Sequence, residues 1–99
     1  MAKVEISAAA RADLKNIYKY TCIVFGEAQA ERYTRDLHSR FALLADFPGT
    51  GLHTRFGPVD CLKFPSGSHV IYYRRTPTGV FIGRILHGAQ DPTRQSFGE

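Results

Sequence analysis

The sequence is poor in cysteine and methionine and contains no tryptophan. Its two cysteines, Cys22 and Cys61, are too few for a disulfide framework and lack the paired spacing of a zinc site. Long apolar runs are also missing, since no stretch approaches about 18 consecutive apolar residues. The chain opens on a strand pattern instead of the apolar segment of a signal peptide. We therefore expect a cytoplasmic protein with reduced thiols and no membrane-spanning segment.

Acidic residues are also few, above all in the C-terminal part of the chain. The whole chain carries 13 Lys and Arg against 9 Asp and Glu, a formal net charge of +4. From residue 60 onward the charged side chains are Lys63, Arg74, Arg75, Arg84 and Arg94 against Asp60, Asp91 and Glu99. This balance indicates contact with phosphates or with an acidic protein segment, the alternative being a merely solvated basic surface.

A short strand and a helix open a single domain that spans residues 1–99. Val4 and Ile6 alternate with polar residues, as in a strand with one buried face. Ser7, a favoured N-cap, precedes an alanine-rich run, so the pattern predicts a helix from Ala8. The apolar stripe of this helix consists of Leu14, Ile17, Tyr18, Thr21 and Phe25.

A second helix follows almost without a linker. Gly26 is placed to supply a left-handed stop to the first helix near Phe25, and Glu27 opens the next periodic run. The second apolar stripe consists of Ala30, Tyr33, Leu37, Phe41, Leu44 and Phe47. Pro48 ends this run, and so short a connection predicts an antiparallel helical hairpin.

Three strands joined by two turns are predicted between Lys63 and His87. Pro and Gly recur at the same spacing in 64–67 and 76–79, which is typical of type I turns that end in a left-handed glycine. Residues 48–58 lack periodicity, so we expect a loop there. The order β-α-α-β-β-β predicts an α+β fold, with the helical hairpin packed on one face of a small, mainly antiparallel sheet.

The predicted strands are apolar on both faces. The residues that place apolar side chains on both parities are Val70, Ile71, Tyr72, Tyr73, Val80, Phe81, Ile82 and Ile85. A strand with this pattern is covered on both sides, whereas the helical hairpin can cover only one face of the sheet. We therefore expect another molecule to cover the second face.

Residues at many positions along the chain occur together in one characteristic order and spacing. They are Ala12-Asp13-Leu14, Ile17, Tyr20, Gly26, Gln29-Ala30, Tyr33, Leu37, Phe41, Leu44, Pro48, Gly51, Lys63-Phe64-Pro65, the strand GSHVIYYR, Ile85-Leu86-His87 and Asp91. This pattern resembles the ParE branch of the RelE/ParE toxin superfamily and spans nearly the whole chain. It departs from that family in Leu52–Leu62, where family members commonly carry an acidic cluster and an arginine.

The resemblance implies the toxin of a bacterial type II toxin–antitoxin pair. Toxins of the ParE type are implicated in poisoning DNA gyrase, and a ParD-type antitoxin silences them by wrapping its C-terminal segment around the toxin. The RelE branch instead cleaves messenger RNA on the ribosome. We therefore expect a ParE-like gyrase inhibitor that is not an enzyme, with a RelE-like ribosome-dependent mRNA endonuclease as the alternative. A third interpretation is an inert binding module that has kept only the antitoxin interface.

The candidate residues for binding the antitoxin or the target are Tyr72, Arg74, Arg75, Arg84 and His87. The arginines favour an acidic antitoxin segment. In a nuclease, Arg84 would contact the phosphate and His87 would donate the proton. A base is missing from the obvious place, because no carboxylate lies between Asp60 and Asp91. The alternative role for His87 is a hydrogen bond to Asp91 or to a backbone carbonyl that closes the strand end.

Metal and cofactor sites are not expected. His38, His53 and His69 lie on a predicted helix, loop and strand without ligand spacing. Neither cysteine has a histidine nearby in the sequence, so both are interpreted as small buried hydrophobic residues. Direct sequence-specific binding of nucleic acid is not expected either.

Overall fold

The computed structural model describes residues 2–98 and consists of two helices and one five-stranded sheet. The elements are β1 (Lys3–Ile6), α1 (Ala8–Phe25), α2 (Glu27–Asp46), β2 (Leu52–Phe56), β3 (Val59–Ser66), β4 (His69–Thr76) and β5 (Gly79–His87), with 3₁₀ turns at Pro48–Thr50 and Pro92–Arg94. The strand order is β1-β5-β4-β3-β2, and only β1 pairs in parallel, with β5. The predicted α+β fold is confirmed, with one strand more than predicted.

The helix boundaries follow the capping signals of the sequence. The Ser7 side-chain oxygen accepts a hydrogen bond from the Ala10 N–H at 2.9 Å and so caps α1. Gly26 has a φ of 95° and is the single residue between α1 and α2. Its own N–H donates to the Cys22 carbonyl at 3.0 Å, which satisfies one group at the helix end. The predicted single-residue connection of the helical hairpin is confirmed.

The loop expected over residues 48–58 is wrong, because this segment contains β2. Strand β2 forms an antiparallel hairpin with β3 through a turn at Gly57, whose φ is 62°. It lies at the edge of the sheet, and only Phe56 among its residues is buried. An edge strand with mostly exposed side chains lacks the apolar alternation that marks a buried strand. The divergent segment Leu52–Leu62 is this hairpin.

The two Pro–Gly turn patterns of the sequence place glycine at Gly67 and Gly79 for different structural reasons. Gly67 has a positive φ of 60°, as predicted, but the turn lies between Ser66 and His69 instead of at 64–67, and Pro65 belongs to β3. Gly79 does not have a positive φ, so the left-handed conformation predicted for it is wrong. A side chain at Gly79 would overlap the backbone of Lys3, its parallel partner in β1. Glycine is required there because β1 approaches β5 closely.

The main core lies between the helical hairpin and the sheet. Its buried members are Ala10, Ile17, Leu37, Phe41, Leu44, Ala45, Leu62, Ile71, Tyr73, Val80, Ile82 and Ile85, with Leu14 partly buried against them. Both predicted apolar stripes contribute to it. However, Phe25 and Phe47 are 65% and 63% exposed, because each stands at the end of its helix.

A second core covers the opposite face of the sheet. It consists of Phe56, Cys61, Tyr72, Leu86 and Phe97. The Phe56 ring stacks edge-to-face on Tyr72 at 4.9 Å and on Phe97 at 5.6 Å between ring centroids. Burial raises the pKa of the Cys61 thiol to about 11. The chain itself therefore packs this face, which corrects the expectation that another molecule is needed to cover it.

The C-terminal segment docks where β5 bulges. Tyr72 pairs with Arg84 and Tyr73 with Ile82, which leaves Gly83 as the extra residue of the bulge. The Phe97 ring fills the space that a side chain at Gly83 would occupy. The bulge at Gly83 therefore provides the space that the Phe97 ring occupies.

Replacing Gly83 with alanine should lower the free energy of unfolding by about 1–3 kcal/mol, because the new methyl group overlaps the Phe97 ring. Urea unfolding followed by circular dichroism measures the change. Gly88→Ala is the matched control, since a methyl group there meets only the Ser68 carbonyl, at 3.7 Å. Equal stability of the two variants would show that Phe97 does not rest on Gly83.

Candidate functional site

An ion pair ties α1 to the bulge of β5. Arg84 Nε donates to Asp13 Oδ2 at 2.8 Å and Arg84 Nη2 donates to Asp13 Oδ1 at 3.0 Å. The two side chains are only 14% and 13% exposed. Asp13 also accepts the Ile85 N–H, and Arg84 donates to the Ser96 carbonyl. These hydrogen bonds to Asp13 raise the pKa of Arg84, which is thus engaged within the protein.

Two histidines stand opposite each other beside this ion pair. His69 at the start of β4 is the direct cross-strand partner of His87 at the end of β5. Their ring centroids are 5.6 Å apart and the rings are nearly perpendicular, at 89°. In the sequence, His69 has no ligand spacing to another histidine. The turn between β4 and β5 alone would place His69 opposite Leu86, and the bulge at Gly83 shifts the pairing by one residue to His87, so the turn signal of the sequence did not predict this pair.

The two imidazoles line a cleft that we call the imidazole cleft. It consists of two hollows of about 310 and 290 Å³ that share Tyr20, His69 and His87. The other lining residues are Asn16, Ile17, Gln90, Thr21, Phe25, Gln29, Tyr33 and Ser68. The lining residues include no Asp, Glu, Lys or Arg. The cleft therefore offers a ligand hydrogen-bonding groups and apolar contact.

Tyr33 of α2 holds His69 in place. The Tyr33 hydroxyl lies 2.6 Å from His69 Nδ1, accepts the Ser68 N–H at 3.0 Å and is 3.2 Å from the Ser66 carbonyl. All three contacts are satisfied when His69 Nδ1–H donates to Tyr33 and Tyr33 donates to Ser66. This arrangement leaves Nε2 of His69 with a free lone pair. Burial, and secondarily His87, lowers the pKa of His69.

His87 has different partners from those predicted. Its Nδ1 accepts the Ala89 N–H at 3.2 Å, so the proton of the neutral ring lies on Nε2. Its backbone N–H donates to the Gln90 side chain at 2.7 Å. The expected hydrogen bond from His87 to Asp91 is not formed, because Asp91 accepts from Thr93 and caps the final 3₁₀ turn.

The remaining predicted site residues lie apart from the cleft. Tyr72 is buried in the second core. Arg74 is exposed on that same face, with its guanidinium 4.9 Å from the Phe81 ring centroid. Arg75 is exposed beside Gly49, on the side of the sheet that carries the helices. The fold thus separates the five predicted residues instead of collecting them in one site.

An exposed apolar patch on α1, which was not predicted from the sequence, adjoins the cleft. Its members are Tyr20, Ile23, Val24 and Phe25, which are 64%, 75%, 49% and 65% exposed. We call it the α1 patch. Tyr20 and Phe25 belong to both the patch and the cleft lining. The available signal was that Tyr20, Ile23 and Val24 are apolar and lie outside the predicted stripe.

Within residues 2–98, no group of three or more His, Cys, Asp or Glu side chains is placed to hold a metal ion. The described helices include none that is long and apolar enough to span a membrane.

The architecture defines the class of protein. The fold of this chain, a helical hairpin on one face of a mixed five-stranded sheet, is similar to a solved structure titled "Chromosomal ParDE TA system from P. aeruginosa", with a TM-score of 0.72 at 21% identity over 88% of this chain and 96% of that one. This likeness places the chain in the same fold class. Residues 4–92 match the family described as the ParE toxin of the type II toxin–antitoxin system parDE. The chain belongs to this ParE toxin family.

Two relatives match this chain over most of their own length. "Toxin ParE1" of Caulobacter vibrioides is 34% identical over 87 residues, covering 88% of this chain and 90% of the relative. "Toxin ParE1" of Mycobacterium tuberculosis is 33% identical over 90 residues, covering 90% of this chain and 92% of the relative. The similarity therefore extends over nearly the whole domain, and the resemblance inferred from the sequence is confirmed.

Proposed function

We propose that this ParE toxin inhibits DNA gyrase by binding to it, catalyses no reaction itself, and is neutralised by a ParD-like antitoxin in the bacterial cytoplasm. The observation that carries the non-catalytic part is the uncharged lining of the imidazole cleft. Cleavage of RNA needs a cation at the phosphate as well as an acid and a base. Arg84 is bound to Asp13 and Ser96, so it does not supply that cation.

The α1 patch supports a protein partner. Soluble monomers rarely expose adjacent large apolar side chains, and such patches mark interaction sites. The i, i+3, i+4 spacing of Tyr20, Ile23 and Val24 presents one continuous ridge to an apolar partner surface. Arg74 and Arg75 are exposed on opposite faces of the sheet, where an acidic segment that wraps around the toxin meets both. These features fit an antitoxin with apolar anchors and acidic flanks.

Expression of this chain alone from a tightly controlled promoter should produce filamentous cells with broken DNA, and purified protein should block supercoiling by gyrase. Co-expression of the antitoxin should restore growth. Microscopy, a DNA damage reporter and a supercoiling assay measure these effects. Normal growth together with uninhibited gyrase would contradict the proposal.

Ile23→Asp is the matched variant for the antitoxin. Because Ile23 is 75% exposed, the substitution should leave the thermal midpoint nearly unchanged while introducing a charge into the α1 patch. Antitoxin binding should weaken at least about tenfold, since a charge buried at an interface is costly. Thr78→Asp, in the exposed turn before β5, is the control for an added charge away from the patch.

A RelE-like ribosome-dependent mRNA endonuclease is the second candidate, favoured by one observation. His69 lies opposite His87, and in the tautomer whose Nδ1–H donates to Tyr33 its Nε2 lone pair is free to act as the base that the sequence did not reveal. Incubation of the protein with translating ribosomes tests this activity. Codon-specific cuts in the messenger that disappear in His69→Gln would assign the protein to this function instead.

A further inference from the structure

In the imidazole cleft, His69 and His87 form a pair of hydrogen-bonding groups. One proton on His69 decides whether the pair presents one N–H donor and one acceptor or two N–H donors. Because Ala89 donates to Nδ1 of His87, Nε2 of His87 is an N–H donor. In the tautomer that satisfies all three contacts of the Tyr33 hydroxyl, Nδ1–H of His69 donates to Tyr33, and Nε2 of His69 is an acceptor when the ring is neutral. Protonation of His69 converts the pair into two N–H donors. Two adjacent N–H donors match the two oxygens of a carboxylate.

Protonation does not disturb the contacts that hold His69. The protonated ring still donates from Nδ1 to the Tyr33 hydroxyl, and Tyr33 still donates to the Ser66 carbonyl. The Ser68 N–H continues to fill the other acceptor position of Tyr33. The cleft therefore accepts a proton without loss of a hydrogen bond, and Tyr33 is a positioning residue for His69.

The titratable groups that surround His69 come from three elements. They are His87 on β5, Asp13 and Tyr20 on α1, and Tyr33 on α2. Asp13 favours the protonated ring, but its carboxylate is bound by Arg84 and by the Ile85 N–H. Burial and His87 favour the neutral ring in the free protein. A negatively charged group in the cleft adds the missing compensation.

We propose that the imidazole cleft binds a carboxylate side chain of the antitoxin, and that this binding is coupled to protonation of His69. The inference rests on the proposed function and adds the recognised group and its regulation by pH. Three features identify an acidic segment as the occupant. The chain has a net charge of +4, no acidic side chain lines the cleft, and the cleft continues into the apolar α1 patch. One residue of Asp or Glu beside apolar anchors fits this surface.

The direction of the pH effect follows from linkage. The pKa of His69 is lowered in the free toxin by burial and by His87, and an adjacent carboxylate raises it in the complex. The complex thus binds more protons than the free toxin between these two pKa values. Affinity for the antitoxin is constant above the bound pKa of His69, rises as the pH falls toward the free pKa, and is constant again below it. One coupled proton gives at most about a tenfold change per pH unit.

The test is calorimetric titration of the full-length toxin with the antitoxin encoded beside its gene, between pH 5.5 and 8.5, conditions chosen to bracket an ordinary histidine pKa of about 6.5. Each pH is measured in two buffers of different ionisation enthalpy, which reports the number of protons taken up. Histidine ring NMR signals give the pKa of His69 in the free toxin and in the complex. We expect proton uptake, tighter binding at lower pH and a raised pKa of His69 in the complex.

Three variants locate the effect. His69→Gln and His87→Gln should abolish the pH dependence, and Tyr33→Phe should reduce it. His53→Gln is the control, because His53 is an exposed residue of the edge strand β2 and lies outside the cleft. Since the NMR titration uses the unaltered protein, a variant that fails to fold does not remove the test.

Tight binding without proton uptake and with an unchanged pKa of His69 would overturn this inference and leave the proposed function standing. Absence of antitoxin binding at every pH would overturn both. Loss of ribosome-dependent RNA cleavage in the His69 and His87 variants, with antitoxin affinity independent of pH, would assign the cleft to catalysis and overturn the inference as well.

Discussion

Replacing Leu37 with alanine is expected to lower the free energy of unfolding by about 2–5 kcal/mol. Leu37 is 0% exposed and lies in the main core between α2 and the sheet. The loss combines the transfer free energy of the removed carbons with the cavity that remains. Because a domain of this size has a total stability of only about 5–15 kcal/mol, the variant loses a large share of it. Urea unfolding at equilibrium measures the difference.

Leu43→Ala provides the matched control on the same helix. The chemical change is identical, but Leu43 is 39% exposed and does not belong to the main core. We expect its effect to be less than half that of Leu37→Ala. Similar losses from both variants would mean that the side of α2 that faces the sheet is assigned incorrectly.

The second large effect is expected at the ion pair between Asp13 and Arg84. Both side chains are nearly buried, and removal of either one leaves the other without its charge partner. Asp13→Asn and Arg84→Met should therefore each cost about 2–4 kcal/mol, somewhat below the loss for fully buried pairs. The double variant should cost much less than the sum of the single variants, because no unpaired charge remains. A double-mutant cycle in urea measures this coupling.

The pair between Arg55 and Asp60 is the control for the effect of burial. Its atoms are 3.7 Å apart, and the side chains are 66% and 86% exposed. Water and salt screen such a pair, so its coupling energy should be far smaller and should fall with added salt. If the losses at Asp13 and Arg84 simply add, the two residues are stabilised independently and the ion pair does not join α1 to β5.

The two helices and their connection were predictable because the sequence signals that specify them are local. Helical periodicity, the Ser7 cap and the single Gly26 connection all act within a few residues of one another. The strand β2 was not predictable in this way, since its side chains are mostly exposed and its pairing with β3 is what orders it. The prediction that both faces of the sheet are apolar was correct, but the expectation that another molecule covers the second face was wrong. Phe97 and Phe56 cover the second face from within the chain.

The candidate site likewise combines residues that the sequence predicts with contacts that only the structure shows. Arg84 and His87 were identified as chemically relevant residues of β5, yet Arg84 is engaged by Asp13, 71 positions earlier in the chain. His69 was set aside because it has no metal-ligand spacing to His38 or His53. The antiparallel register of β4 and β5 brings His69 and His87 together. Tyr33 completes the cleft from α2, and no spacing rule along one element connects it to β4.

The sequence by itself determined the fold class, the helical hairpin and the family, because these depend on residue patterns repeated within single elements and kept in register along the chain. The tertiary structure alone decided which polar groups meet and which apolar surface stays exposed. Hydrogen bonds and ion pairs act over a few ångströms, so their partners depend on strand register, on the bulge at Gly83 and on the docking of the C-terminal segment. For this reason the imidazole cleft and the α1 patch became visible only in the folded chain.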